Sequence, residues 1–230
     1  MTTVLFWDID GTLLTTARAG VYAWAEAVEE QAGHPVDLSG FQTAGLTDVE
    51  IARQLGARSE LDQASTEALL RNYERRLPQS LTRRTGGVLP NVRPILERLR
   101  GRTDVYSGLL TGNTRAGAAA KLRHYGLAEF FEGGAFADGA VDRPAIARDA
   151  LAQARKILGL IEPDRVYVIG DTPHDVACGK AIGARVVAVA TGGYSLEQLR
   201  ATDPWWLLPS LPEPEVFLPR LGLSLSLESV

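Results

Sequence analysis

The chain has 230 residues, of which 45% are hydrophobic, and this is enough for a sizeable core in one domain or in a main domain with an insertion. Its formal net charge of −4 argues against a nucleic-acid partner, which would require a basic patch. Cys178 is the single cysteine, so an intrachain disulfide and a cysteine-rich zinc site are excluded. We expect a cytoplasmic protein with no signal peptide and no membrane segment.

Four short runs rich in β-branched and apolar residues are predicted to be buried strands. They are residues 4–7, 105–110, 166–169 and 186–189. Each run is largely continuous in its apolar character and helical patterns separate the runs, as in a parallel sheet that helices cover on both faces. The predicted fold class is therefore α/β.

Residues 15–88 have a different pattern, with amphipathic helices and no convincing strand. The predicted helices are residues 21–31, 48–55 and 65–77. We therefore expect a helical insertion at residues 15–88, within an α/β core that residues 1–14 and 89–230 form. The ends of this insertion, near Thr15 and Thr16 and near residues 85–87, resemble flexible hinges.

The remaining core elements are predicted from their start and stop signals. Thr114 begins a helix that Gly126 ends, and a second helix spans residues 144–158 before Gly159. Prolines are frequent from Pro204 onward, so we expect a short edge strand at residues 205–208 followed by an irregular tail.

Two aspartates directly follow the first predicted strand. Asp8 and Asp10 are separated by one residue and precede Gly11 and Thr12. Such a pair offers one carboxylate that can attack phosphorus and a second that can transfer a proton. Gly11 permits close backbone approach, and N–H groups at Gly11 and Thr12 are candidate phosphate donors. An acidic turn without function would have the same composition.

Uncharged donors and an arginine follow later in the chain. Thr111, Gly112 and Asn113 come directly after the second strand, where a hydroxyl and an amide can donate to phosphate oxygens. Arg143 begins the next helix, where its charge can balance that of a phosphoryl group. Taken singly, each is also typical of ordinary loops and helix starts.

Two more aspartates, Asp171 and Asp175, follow the third strand. Carboxylates at neighbouring strand ends are suited to a hard cation such as Mg²⁺. Asp175 could instead cap the next helix, and we assign no catalytic role to the adjacent His174 because it has no matching zinc-binding partner.

In this order, the four segments resemble the haloacid dehalogenase superfamily, specifically its phosphatase branch with a helical cap, as in phosphoglycolate-phosphatase-like members. The resemblance implies a Rossmann-like core, a Mg²⁺ cofactor and a small phosphorylated metabolite as substrate. It implies that Asp8 forms an aspartyl phosphate while Asp10 acts first as acid and then as base. It further implies a metal site and a phosphate site: the metal ligands are Asp8, the backbone carbonyl of Asp10, Asp171 and Asp175, and the phosphate donors include Thr111, Asn113 and Arg143.

The sequence departs from the family pattern in places. The third motif usually has a lysine where this chain has Arg143, and Thr15 and Thr16 stand where many relatives have an acidic residue. In the cap, Thr47 and Asp48 resemble the residues of the loop that faces the active site, so both are candidate substrate contacts, although Thr47 could equally be a plain N-cap. Arg18 and Arg53 are further candidates for an anionic substrate group.

Four alternatives to a phosphatase differ in how strongly the sequence opposes them. Asp10 argues against a dehalogenase and a phosphonate hydrolase, which lack this second acid. A sugar-phosphate mutase keeps the same pair and stays open. A non-catalytic phospho-accepting or phosphate-binding regulatory module is the alternative from another class.

Overall fold

A six-stranded parallel sheet forms the centre of the protein in the computed structural model, which describes residues 2–38, 40–138 and 142–225. The strands of this sheet are β1 (Thr3–Trp7), β4 (Val105–Leu110), β5 (Gly134–Ala135), β6 (Val166–Gly170), β7 (Arg185–Val189) and β8 (Trp206–Leu208). Their spatial order is β5-β4-β1-β6-β7-β8. The four predicted core strands and the predicted edge strand are confirmed, and so is the α/β class.

Helices cover both faces of this sheet. They are α4 (Val92–Leu99), α5 (Arg115–His124), α6 (Arg143–Leu158), α7 (Pro173–Ala181), α8 (Leu196–Arg200) and α9 (Pro214–Arg220). Leu5 and Trp7 of β1 pack into one apolar cluster with α4, α5 and α9, whereas Val4 and Phe6 pack into another with α6 and α7. Because alternate side chains of β1 are buried on opposite faces, the strand is apolar from Val4 to Trp7.

The expectation of an irregular tail was wrong, since α9 follows the edge strand. Pro214 begins this helix, where the missing N–H of proline costs nothing, and Phe217 and Leu218 are buried against the core. Burial of Phe217 and Leu218 thus favours a helix here despite the high proline content of the segment.

Three further helices lie in the segment of the chain between β1 and α4. They are α1 (Ala19–Ala32), α2 (Asp48–Arg58) and α3 (Gln63–Thr82), and they connect to the core through a two-stranded antiparallel pair, β2 (Leu14–Thr15) and β3 (Gly87–Val88). They have an apolar cluster of their own, in which the rings of Trp24 and Tyr73 stack 3.9 Å apart. The division into a cap at 15–88 and a core remains a prediction that agrees with this arrangement.

In the part of the chain that the structure describes, no helix is long and apolar enough to cross a membrane.

Candidate active site

The predicted motif residues follow the carboxyl ends of three adjacent strands. Asp8 follows β1, Thr111 follows β4 and Asp171 follows β6. Because these strands are parallel neighbours, all three side chains lie at one edge of the sheet, where ligands bind in open α/β folds. A cavity of about 400 Å³ opens there, between the sheet edge and helices α1–α3.

Three buried carboxylates form the floor of this site. Oxygens of Asp8, Asp171 and Asp175 all lie within 4.8 Å of one another. Burial, followed by repulsion from Asp175, raises the pKa of Asp8 to about 8 and that of Asp171 to about 9. The three adjacent carboxylates form an all-oxygen donor set, and this set fits a hard divalent cation.

The loop after β1 approaches Asp171 closely. Gly11 has φ +81°, and a Cβ atom there would lie 2.5 Å from Oδ2 of Asp171, so both the conformation and the space require glycine. The Thr12 hydroxyl donates to Oδ1 of Asp171 over 3.2 Å. The Thr191 hydroxyl, which the sequence did not single out, donates to the carbonyl of Gly11 over 2.5 Å. The structure thus places Thr12 beside Asp171.

Arg143 and Asp175 form a buried ion pair. Nη2 of Arg143 lies 2.6 Å from Oδ1 of Asp175, and the two side chains are almost fully buried. The other oxygen of Asp175 accepts from the backbone N–H and the hydroxyl of Thr172, at 3.0 and 2.7 Å. Asp175 therefore caps α7 and also contributes to the acidic cluster. The Arg143 guanidinium opposes the effect of burial on the pKa of Asp8.

Asp10 lies in a second network, formed with residues of the second motif. Its Oδ2 accepts from Nδ2 of Asn113 over 2.8 Å, and the same amide nitrogen donates to the Thr111 hydroxyl oxygen over 2.8 Å. Thr111 also hydrogen-bonds to Asp8 and opposes the effect of burial on its pKa. The structure thus places Asn113 between the two motifs, as a donor to Asp10.

The sequence interpretation missed Lys121, which also contacts this network. Its Nζ lies 2.5 Å from Oδ2 of Asp10 and 2.5 Å from Oδ1 of Asn113. Burial disfavours its charge, but Asp10 and Asp48 outweigh burial and raise the pKa of Lys121, so the amine remains protonated. A helix-periodic signal was present in the sequence, because Lys121 occupies the same face of α5 as the buried Gly117 and Ala118.

The loop before α2 and the first residue of that helix, Asp48, contact the core directly. The Asp48 carboxylate accepts from the backbone N–H of Thr114 over 2.8 Å, and its own N–H donates to the carbonyl of Gly112 over 2.7 Å. Burial raises the pKa of Asp48 to about 6. Nη1 of Arg143 donates to the carbonyl of Gly45 over 3.1 Å. A Cβ at Gly112 would lie 2.8 Å from that same Nη1, so glycine leaves room for this contact.

The remaining candidate residues of the cap differ in whether they line the cavity. The Thr47 hydroxyl caps α2 by accepting from the N–H of Glu50 over 3.1 Å. Arg18 lines the cavity and is exposed, whereas Arg53 is exposed on α2 outside the cavity lining. His174 packs against Gly45, where a Cβ would lie 2.3 Å from its Cδ2.

Comparison with known proteins identifies the family. A family model for haloacid dehalogenase-like hydrolases matches residues 2–183. The chain is 27% identical over 215 residues to the "Probable phosphatase IndB" of Dickeya dadantii, which covers 93% of this chain and 92% of that protein. It is 29% identical over 208 residues to the phosphoglycolate phosphatase of Rhodospirillum rubrum, covering 86% and 83% of the two chains.

A solved structure agrees with this assignment at the level of the fold. The crystal structure of CbbY from Rhodobacter sphaeroides in complex with phosphate superposes with a TM-score of 0.77 at 19% identity, covering 97% of this chain and 100% of that one. The family predicted from the order of the motifs is confirmed, because the family model spans most of the chain: this chain belongs to the haloacid dehalogenase-like hydrolases.

Proposed function

We propose that this chain is a magnesium-dependent phosphatase that hydrolyses a small phosphomonoester through an aspartyl phosphate on Asp8. The observation that carries the proposal is the cluster of Asp8, Asp171 and Asp175, buried at the sheet edge below a cavity that Asp10 also lines. A carboxylate nucleophile, a second acid and an oxygen donor set for a cation are what phosphoryl transfer to an aspartate requires.

The reaction has two balanced steps. In the first, a carboxylate oxygen of Asp8 bonds to phosphorus, the bond from phosphorus to the leaving oxygen breaks, and Asp10 gives its proton to that oxygen. In the second, Asp10 takes a proton from water as the water oxygen bonds to phosphorus, and the bond to Asp8 breaks. The products are an alcohol and inorganic phosphate, and both aspartates return to their starting states.

The proposed metal site consists of Asp8, the backbone carbonyl of Asp10, Asp171 and Asp175. Mg²⁺ bound there would offset the repulsion between the carboxylates and the incoming phosphate. Oδ1 of Asp175 is paired with Arg143, which agrees with a contribution to the site through water.

The proposed phosphate contacts come from three segments of the core. They are the loop at Gly11 and Thr12, the second motif at Thr111, Gly112 and Asn113, and Arg143. Arg143 supplies the charge that lysine supplies in many family members, and its two amino groups already bridge Asp175 and the cap loop at Gly45.

The proposed cap at residues 15–88 selects the substrate. Thr47 and Asp48 remain candidates for substrate contact, although their side chains already cap α2 and bind the start of α5. Arg18 is exposed at the cavity, so a substrate with an anionic group beyond its phosphate is favoured. We expect an organic acid phosphate or a sugar phosphate.

The test is release of inorganic phosphate from a broad panel of phosphorylated organic acids and sugars, with Mg²⁺ and with EDTA. Asp8→Asn should abolish release, whereas Asp149→Asn, the same change at an exposed carboxylate on α6, should not alter it. Absence of Mg²⁺-dependent release by the unaltered protein from every member of the panel would contradict the proposal.

The same panel distinguishes the two alternatives. Movement of phosphate between positions of one sugar, with no release, would indicate the sugar-phosphate mutase. A stable phosphate on the protein without turnover would indicate the regulatory module.

A further inference from the structure

Lys121 is a buried cation that the proposed reaction has not used. It lies on α5, is 5% exposed, and contacts two side chains of the site. Both contacts are at 2.5 Å, one to Oδ2 of Asp10 and one to Oδ1 of Asn113. A lysine loses considerable side-chain entropy and hydration when it is buried, so its position requires compensation by these partners.

The contacts fix the orientation of the Asp10 carboxylate. The Lys121 amine and the Asn113 amide both donate to the same oxygen of Asp10, Oδ2. Because two donors hold Oδ2, rotation of the carboxylate is restricted, and Oδ1 is the oxygen that we assign to proton exchange with the leaving group. The Asp10 side chain is otherwise 42% exposed, so without these two donors it would be free to turn toward solvent.

The helix that carries Lys121 is itself held from the cap side. The carboxylate of Asp48 accepts from the backbone N–H of Thr114 at the start of α5. Asp48 is the first residue of α2, so the contact of α2 with the core and the position of Lys121 both depend on α5. The contact between Asp48 and Thr114 therefore helps to hold the helix whose Lys121 contacts Asp10.

We propose that Lys121 is a positioning residue that orients Asp10 for proton transfer to the leaving oxygen, so that a buried cation outside the four family motifs is required for efficient loss of a poor leaving group. This inference rests on the proposed function. Lys121 contacts no substrate atom that we assign, and it acts through its contacts with Asp10 and Asn113.

The test compares two substrates of similar shape, phenyl phosphate and p-nitrophenyl phosphate. Phenol is the poorer leaving group and needs the proton, whereas p-nitrophenolate leaves readily without it. The measured quantity is kcat/KM, because it reports the steps up to loss of the leaving group and is insensitive to hydrolysis of the phosphoenzyme. In Lys121→Met we expect kcat/KM for phenyl phosphate to fall by on the order of 10²-fold and that for p-nitrophenyl phosphate by less than about 5-fold.

Two further variants complete the experiment. Lys156→Met makes the same change at an exposed lysine on α6 and should leave both values unchanged. Lys121→Gln keeps a donor without the charge and should lose less on phenyl phosphate than Lys121→Met. Activity on p-nitrophenyl phosphate also shows that each variant is folded.

The outcomes separate the inference from the proposed function. Equal losses on both substrates, or no loss on either, would overturn the role of Lys121 while leaving the phosphatase proposal intact. Failure of the unaltered protein to release phosphate from either aryl ester or from any metabolite of the panel would overturn the phosphatase proposal, and this inference with it.

Discussion

Replacing Arg143 by methionine removes one partner of an ion pair that is almost completely buried. Arg143 is 7% exposed and Asp175 is 0% exposed, with 2.6 Å between their charged atoms. Loss of one partner leaves an uncompensated carboxylate beside Asp8 and Asp171, and breaking such a buried pair costs about 3–5 kcal/mol. Solvent screening does little to reduce this value, because neither side chain reaches the surface.

The assay is urea unfolding of the metal-free protein, as a double-mutant cycle. Arg143→Met should shift the unfolding midpoint downward by roughly 1–2 M urea, given slopes of about 2–3 kcal/mol per M for a chain of this size. Adding Asp175→Asn removes the unpaired charge, so the double variant should be more stable than the sum of the single losses predicts, by about 1–3 kcal/mol.

Arg155→Met is the matched control, since Arg155 is exposed near the end of the same helix and should change stability by about 0.5 kcal/mol or less. If Arg143→Met lost less than about 1 kcal/mol, or if the cycle were additive, the pair would not have the electrostatic role that its geometry indicates.

Three other predictions concern the site. The pKa of Asp8 is about 8 in the folded protein against an ordinary 3.8, so the metal-free folded state retains a proton that the unfolded state releases. Asp8 alone should lower the free energy of unfolding by about 1.4 kcal/mol per pH unit between about pH 5 and 7, and Asp171, whose pKa is raised to about 9, should add to this fall; urea titrations should show the slope reduced by the Asp8 share in Asp8→Asn. Asp48→Ala removes the acceptor for Thr114 and should cost about 1.5–3 kcal/mol in the same titrations while raising KM. Gly11→Ala places a methyl group 2.5 Å from Asp171, and steady-state kinetics should show a large loss of kcat together with a lower thermal midpoint.

The strands and the order of the motifs could be predicted because their signals are local. An apolar run followed by acids marks a strand end in a parallel sheet, and Asp8, Thr111 and Asp171 all lie where this pattern placed them. The paired role of Asp175, as helix cap and member of the acidic cluster, was also anticipated as two separate possibilities.

Other features depend on tertiary contacts that no local pattern contains. The predicted third cap helix ended before Pro78, yet α3 continues to Thr82, because Leu77 and Leu81 are buried and compensate for the lost backbone bond. Lys121 is eight residues beyond Asn113; helix periodicity places it on the buried face of α5, but its contact with Asp10 depends on the tertiary packing of this helix. Contact of Asp48 with Thr114 likewise depends on how the cap loop meets the core.

Identification of the phosphorylated residue is the most direct test of the central claim. The protein is mixed with p-nitrophenyl phosphate and Mg²⁺, quenched in acid within the first turnover, and reduced with borohydride, which converts an aspartyl phosphate to homoserine. Tandem mass spectrometry then locates the modified position. We predict homoserine at position 8 and none in Asp8→Asn. Homoserine at another aspartate, or phosphate on His174 during turnover, would contradict Asp8 as the nucleophile.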